Sequence, residues 1–159
     1  MLDDKFGVLF VCTGNICRSP TAEAVFRKLA GDAGMADAVT ADSAGTHDYH
    51  VGEPPDPRAQ AAAAKRGYDL SALRARKVEA ADFQRFDLVL AMDQDHYAIL
   101  SHMAGASAGH KLKLMMSYAQ RFKERDVPDP YYGGPQGFER VLDLLEDAAS
   151  GLLGSLRKD

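Results

Sequence analysis

Cysteine is scarce in this chain: 159 residues hold only two, Cys12 and Cys17. Two thiols this close together do not make a disulfide framework, and they read as reduced groups in a cytoplasmic protein. Lys and Arg form no long run and the formal net charge is -4. That balance excludes a phosphate-neutralising nucleic-acid surface as the main function. No apolar stretch reaches the length of a membrane span. The opening MLDDKFGVLFV is acidic before it is apolar, the wrong order for a secretory leader. Linkers, repeats and low-complexity tracts are also missing. Residues 1–159 therefore read as one domain, and a monomer is expected.

What is present is a globular composition, hydrophobic 46% and charged 26%, in a chain long enough for a full core. Residues 6–11 form a short apolar run suited to a buried parallel strand. Ser19 and Pro20 predict a helix start, with Ser19 as N-cap and Pro20 at the first helical position. Ala22, Val25, Phe26, Leu29 and Ala33 follow at helical spacing. A second strand is expected over 38–43, and a helix from Asp56-Pro57 that closes at Gly67. The most apolar segment, 86–92, reads as a central strand, followed by a helix capped by Asp93 and running to about Met103. A fourth strand is expected over 110–115. The last helix should bury Phe138, Val141, Leu142, Leu145, Ala149, Leu152 and Leu156. Loops rich in Gly and Pro occupy 45–55 and 125–137. Strand and helix in alternation predict an α/β fold, a parallel sheet with helices on both faces. Ligands of such folds sit at the carboxyl ends of the strands.

At the end of the first strand stands CTGNICRSP, residues 12–20, with both cysteines. A metal site is the weakest explanation. There is no second Cys pair, and His47, His50, His96, His102 and His110 show no paired ligand spacing. A purely structural turn accounts for Gly14 and Asn15, which tolerate positive φ. It does not account for Arg18 at a helix start, where the macrodipole is already positive. An oxyanion supplies the missing negative charge. Free amides at a helix N-terminus bind anions, and a guanidinium matches two phosphate oxygens at once. Cys12 would sit at the base of that cradle, where the same donors favour its thiolate, and a thiolate under a bound phosphate is a phosphoryl acceptor.

The chain resembles the low-molecular-weight protein tyrosine phosphatases. The resemblance is carried by VCTGNICRSPTAEA at the start, SAGT at 43–46, VGEPPDPRA at 51–59, FDLVLAMD at 86–93 and DPYYG at 129–133. It implies a four-stranded parallel sheet flanked by helices, a phosphate loop after the first strand, and no metal or organic cofactor. It implies a cysteinyl-phosphate route with Cys12 as nucleophile, Arg18 as phosphate clamp and Asp129 as general acid; Asp126 is the rival acid, expected to be solvated. The substrate-binding set is then Thr13, Gly14, Asn15, Ile16 and Cys17 of the loop, Ser19, and the aromatic walls Tyr49, Tyr131 and Tyr132. Ser19 is a candidate hydroxyl donor to the Cys12 sulfur as well as a cap, and Ser43 a candidate partner of the loop from behind. Cys17 could capture an oxidised Cys12 as a disulfide.

One departure from the family pattern falls in SALRAR, residues 71–76: Ala72 and Leu73 stand where a histidine often braces the loop asparagine. The expected partner is a phosphotyrosine protein or peptide. Phosphoarginine is the alternative substrate, for which the Thr13 hydroxyl offers a polar contact. An arsenate reductase would need relay cysteines beyond Cys17, and a silent phosphate-binding module would be expected to lose Cys12 or Asp129.

Overall fold

The computed structural model describes residues 5–131 and 133–157. Its elements alternate as β1 (Phe6–Cys12), α1 (Arg18–Asp32), β2 (Val39–Gly45), α2 (Pro57–Ala64), α3 (Asp82–Arg85), β3 (Leu88–Ala91), α4 (Gln94–Ala108), β4 (Leu112–Leu114) and α5 (Pro135–Leu156). The four strands form one parallel sheet in the order β2-β1-β3-β4. β1 is therefore internal, and its side chains alternate between two cores. Val8, Phe10 and Cys12 point into the larger core with α1, α2 and α5. Leu9 and Val11 point into the smaller core with α3 and α4. Burial on both faces is why β1 reads as a continuous apolar run rather than an alternating one.

The register places Gly45 of β2 beside Cys12. A Cβ at Gly45 would stand 2.6 Å from the carbonyl oxygen of Thr13, so only glycine lets the two strand ends approach this closely. Asp56 caps α2 by accepting from the Arg58 amide at 2.8 Å, and Asp93 caps α4 by accepting from the His96 amide at 2.9 Å. Both caps agree with the sequence expectation.

Three expectations change. Ser19 is not an N-cap: α1 already begins at Arg18, the cap position is Cys17, and its side chain makes no capping hydrogen bond. The Ser19 hydroxyl faces Cys12 and Asn15 instead. Pro20 still sits in the first turn, where its missing N–H has no helical partner to lose. The helix after Asp93 runs on to Ala108, with a break at Gly105, whose φ is 66°. The four-residue α3 was not anticipated; at one turn, it is too short to leave a periodic signal.

The loop from α5's neighbourhood back to the sheet is pinned at two places. Asp147 of α5 accepts from the amides of Gln120, Arg121 and Phe122. Val127 donates its amide to the Met92 carbonyl at 2.8 Å, which brings residues 127–131 over the end of β1 and β3.

Candidate active site

Between β1 and α1 the chain curls through Thr13–Cys17. Asn15 has φ 59°, and it is the single non-glycine with positive φ among the described residues. An asparagine tolerates that conformation, but it needs support to hold it. The support is complete. Asn15 Nδ2 donates to Ser19 Oγ at 2.8 Å and to Ser43 Oγ at 3.0 Å, and Oδ1 accepts from the Arg76 amide at 3.0 Å. Ser43 donates in turn to the buried Glu23 carboxylate at 2.8 Å. Burial raises the pKa of Glu23, and the Ser43 hydroxyl and Arg27 work against that rise. Arg76 is itself anchored through its guanidinium to Asp42 and to the buried Asp82. With Ala72 and Leu73 at the departure noted in the sequence, the brace behind Asn15 is assembled from the Arg76 backbone, Ser43 and Glu23.

Cys12 is only 2% exposed. Its Sγ lies 3.0 Å from Ser19 Oγ and accepts from the Ser19 amide at 3.4 Å. Arg18, 3% exposed, reaches over the loop. Its Nη1 donates to Asp93 Oδ2 at 2.9 Å and to the Val127 carbonyl at 3.0 Å. Nη2 donates to Thr13 Oγ1 at 3.4 Å and lies 3.7 Å from Asp129 Oδ2.

These groups open onto a cleft of ≈ 240 Å³. Cys12, Thr13, Gly14, Ile16, Cys17 and Arg18 form its floor, and Asp129, Tyr49, Tyr131 and His50 its rim. Asn15 and Ser19 do not face the cleft; both are buried beneath the loop they brace. Asp129 is half exposed and accepts from the Tyr131 amide at 2.9 Å, which turns the carboxylate along the rim. Tyr131 lies under the Arg58 guanidinium, 5.2 Å from ring centroid to cation. Tyr49 is 65% exposed and stacks on His47 with centroids 5.0 Å apart. Tyr132 falls outside the described residues. Asp126, expected to be solvated, is half-buried. Its Oδ1 accepts from the Gln94 amide at 3.1 Å, so it serves the start of α4 and does not line the cleft. Burial, with Asp56 second, pushes the Cys17 thiol up to about 12, so at neutral pH Cys17 carries its proton. Among the described residues no group of three or more His, Cys, Asp or Glu comes together that could hold a metal ion.

Sequence reasoning missed two histidines of the site. His50 lies over Gly14, where a Cβ would come 2.9 Å from its Cδ2. That contact is the reason a glycine stands there. His96 was read only as a failed metal ligand. It is 2% exposed, and its Nε2 meets Thr13 Oγ1 at 2.7 Å. Its spacing from Asp93, three residues on one helix face, was a usable signal.

His96 sets a pH dependence of stability. Burial, reinforced by the Arg18 charge and opposed by Asp93, Asp95 and Asp129, pushes its imidazole from 6.5 down to about 4. Between these values the unfolded chain binds a proton that the folded chain refuses, so folding weakens as pH falls from 6.5 to about 4. The slope approaches about 1.4 kcal/mol per pH unit for one proton. Glu23 has the opposite sign, because its raised pKa favours the folded state at low pH. Denaturant unfolding of wild type and His96→Gln across that window isolates the histidine. The wild type should lose more stability than the variant; parallel curves would contradict the assignment.

A parallel α/β sheet that ends in a braced amide loop, with a thiol beneath an arginine, defines a phosphatase that works by cysteine chemistry. The comparisons give the family. The model of the low molecular weight phosphotyrosine protein phosphatases matches residues 7–159. A relative from Synechocystis sp. is 50% identical over 153 residues, 96% of this chain and 97% of its own length. The low molecular weight protein-tyrosine-phosphatase of Streptomyces coelicolor is 48% identical over 156 residues, covering 96% of this chain and 94% of that protein. Among solved structures, a protein tyrosine phosphatase from Entamoeba histolytica with Hepes in its active site superposes with TM-score 0.95. It is 41% identical and covers 97% of this chain and 98% of its own. The chain belongs to the low molecular weight phosphotyrosine protein phosphatase family and is a phosphoric monoester hydrolase. No described helix is long and apolar enough to cross a membrane.

Proposed function

We propose that Cys12, Arg18 and Asp129 carry phosphotyrosine hydrolysis in two steps. In the first, the Cys12 thiolate attacks phosphorus while the bond from phosphorus to the phenolic oxygen breaks. Asp129 gives its proton to the leaving phenolate. In the second, Asp129 takes a proton from water, water attacks the cysteinyl-phosphate, and inorganic phosphate leaves with Cys12 restored as thiolate. The loop amides from Thr13 to Arg18 and the Arg18 guanidinium hold the equatorial oxygens, where charge builds in the transition state.

The observation that carries this reading is that the buried Cys12 sulfur and Arg18 line one cleft with Asp129, whose Oδ2 lies 3.7 Å from Arg18 Nη2. Nucleophile, clamp and acid thus share one small cleft. Cys17 supports the reading by contrast: its thiol is pushed up to about 12, so it is no rival nucleophile. The phosphoarginine alternative gains no support from the family or from the relatives' names. The substrate is a phosphotyrosine protein or peptide. A monomer belongs to this reading, and a reduced Cys12 suits a cytoplasmic setting.

The rim aromatics set the substrate. Tyr131 and Tyr49 flank the cleft, so a phenyl ring on the phosphate finds aromatic walls worth roughly 0.5–1.5 kcal/mol per pair. A phosphoserine side chain is too short to span them, and its alkoxide is a poorer leaving group. Peptide kinetics should show phosphotyrosine far ahead of phosphoserine and phosphoarginine in kcat/KM. Tyr131→Ala should raise KM about two- to tenfold with kcat little changed, as expected for lost ring contact. A higher kcat/KM on phosphoarginine, with Tyr131→Ala silent, would overturn the aromatic-rim reading.

A further inference from the structure

Arg18, Asp93, His96 and Thr13 close a ring. Arg18 Nη1 donates to Asp93 Oδ2 at 2.9 Å, and the other oxygen of that carboxylate accepts from the His96 amide at 2.9 Å. The His96 ring reaches Thr13 Oγ1 with Nε2 at 2.7 Å, and Thr13 Oγ1 returns to Arg18 Nη2 at 3.4 Å. Every member is known by its side-chain chemistry, so the proton positions follow. Arg18 can only donate, so Thr13 Oγ1 must accept from it. Thr13 Oγ1 has a second lone pair and could accept from His96 Nε2–H as well, so the tautomer follows from the other ring nitrogen, which faces a carboxylate. The imidazole proton therefore sits on Nδ1, 3.0 Å from Asp93 Oδ1. Nδ1 has no hydrogen bond of good geometry, yet a proton there faces a carboxylate oxygen, whereas a lone pair there would repel it. With His96 neutral and Nδ1 protonated, Nε2 carries the lone pair that accepts the Thr13 hydroxyl proton. The depressed pKa of His96 agrees with that form.

We propose that His96 is a positioning residue for the phosphate clamp: by accepting the Thr13 hydroxyl proton it turns the oxygen lone pairs toward Arg18 and holds the guanidinium over the loop. The proposal rests on the phosphatase reading above. Without His96 the Thr13 hydroxyl has no acceptor on that side. It can then rotate its proton toward Arg18, and a donor facing a donor pushes the guanidinium off its station. Asp93 loses at the same time the imidazole that lies against its second oxygen. A guanidinium displaced by a fraction of an ångström still binds a phosphate ester, but it fits the transition state worse. The loss should therefore fall on kcat and on transition-state analogues, and less on KM.

The test compares His96→Leu, His96→Gln, Thr13→Val and the Thr13→Val/His96→Leu double variant on p-nitrophenyl phosphate, with orthovanadate inhibition and inorganic phosphate titration by calorimetry. His96→Leu should lower kcat roughly ten- to a hundredfold, as small misplacements of catalytic groups do, with KM changed by less than about threefold. Vanadate affinity should fall by a similar factor. Thr13→Val, which removes the hydroxyl and keeps the shape, should show the same loss, and the double variant should be no worse than either single one. His96→Gln places an amide oxygen near the Nε2 position and should recover most of kcat. Wild-type kcat and vanadate affinity in both single variants would overturn the proposal. So would fully additive losses in the double variant, or a glutamine variant as slow as the leucine one. If His96→Leu does not fold, Thr13→Val alone decides, because a valine there leaves the helix packing untouched. The two readings also fail differently. A wild-type protein inert toward aryl phosphates ends the phosphatase reading, while the oxyanion titrations still test the ring. An active wild type with indistinguishable variants ends only the role of His96.

Discussion

Cys12→Ser is expected to abolish turnover of aryl phosphates while leaving inorganic phosphate bound. Among the described residues two sulfurs line the cleft, and Cys17 carries its proton at neutral pH, which leaves Cys12 as the proposed nucleophile. It is buried against the Ser19 hydroxyl and the Ser19 amide. A serine hydroxyl in the same place keeps its proton, because among the described residues the hydrogen-bond partners at that position are Ser19 Oγ and the Ser19 amide, neither of them a base. The anion site survives, since it is made of loop amides and of Arg18, which Asp93 and Val127 hold independently of the sulfur. The rate should fall to background, with the phosphate affinity of the variant within a few-fold of wild type by calorimetry. Mass spectrometry of acid-quenched wild-type enzyme during turnover should find one phosphoryl group on Cys12. Turnover by the serine variant, or phosphate on another residue, would remove Cys12 from its role.

Asp129→Ala should cut the rate on phosphotyrosine by about 10²–10⁴, the usual contribution of a positioned general acid. The carboxylate is half exposed at the rim, with the Tyr131 amide on Oδ1 and Oδ2 turned toward Arg18. In the proposed mechanism this carboxyl meets the leaving oxygen, while Cys12 meets phosphorus. The loss should shrink for esters with good leaving groups, because a stable phenolate departs without a proton. It should persist in the hydrolysis of the cysteinyl-phosphate, which still needs a base, so the intermediate should accumulate. Asp126→Ala is the matched control: Asp126 serves the start of α4, and the expected change is small. If the two variants exchange behaviour, the acid is Asp126 and the rim is read wrongly.

Much of the enzyme could be read along the chain because the information is local. β1 declares itself by burial on both faces, and the loop that follows by a Cys, five residues and an Arg in the space of one turn into a helix. Amides within one curl converge on one point whatever the rest of the protein does, so the oxyanion cradle needs only CTGNICRSP in that setting. The caps Asp56 and Asp93 are equally local, each a side chain meeting an amide two or three residues on. The role proposed for Asp129 comes only from the resemblance to the family, because an Asp before proline in a loop is by itself a turn signal.

The tertiary structure decided the rest, for one physical reason: a side chain's partner across the fold leaves no trace in its own neighbourhood. Ser19 looked like a cap because nothing local distinguishes a serine that bonds its helix from one that bonds a strand end; the sulfur that claims it is seven residues back, across the turn. The brace on Asn15 comes from Ser43 and the Arg76 amide, 28 and 61 residues away. Arg18 meets Asp93 and Val127 across separations of 75 and 109 residues, and Thr13 meets His96 across 83. The sequence alone determined that this chain folds into a phosphate loop with a thiol at its base. Which groups hold that loop rigid and aim its arginine was decided by the packing of strands and helices far apart in the chain, since only the folded sheet brings their ends together.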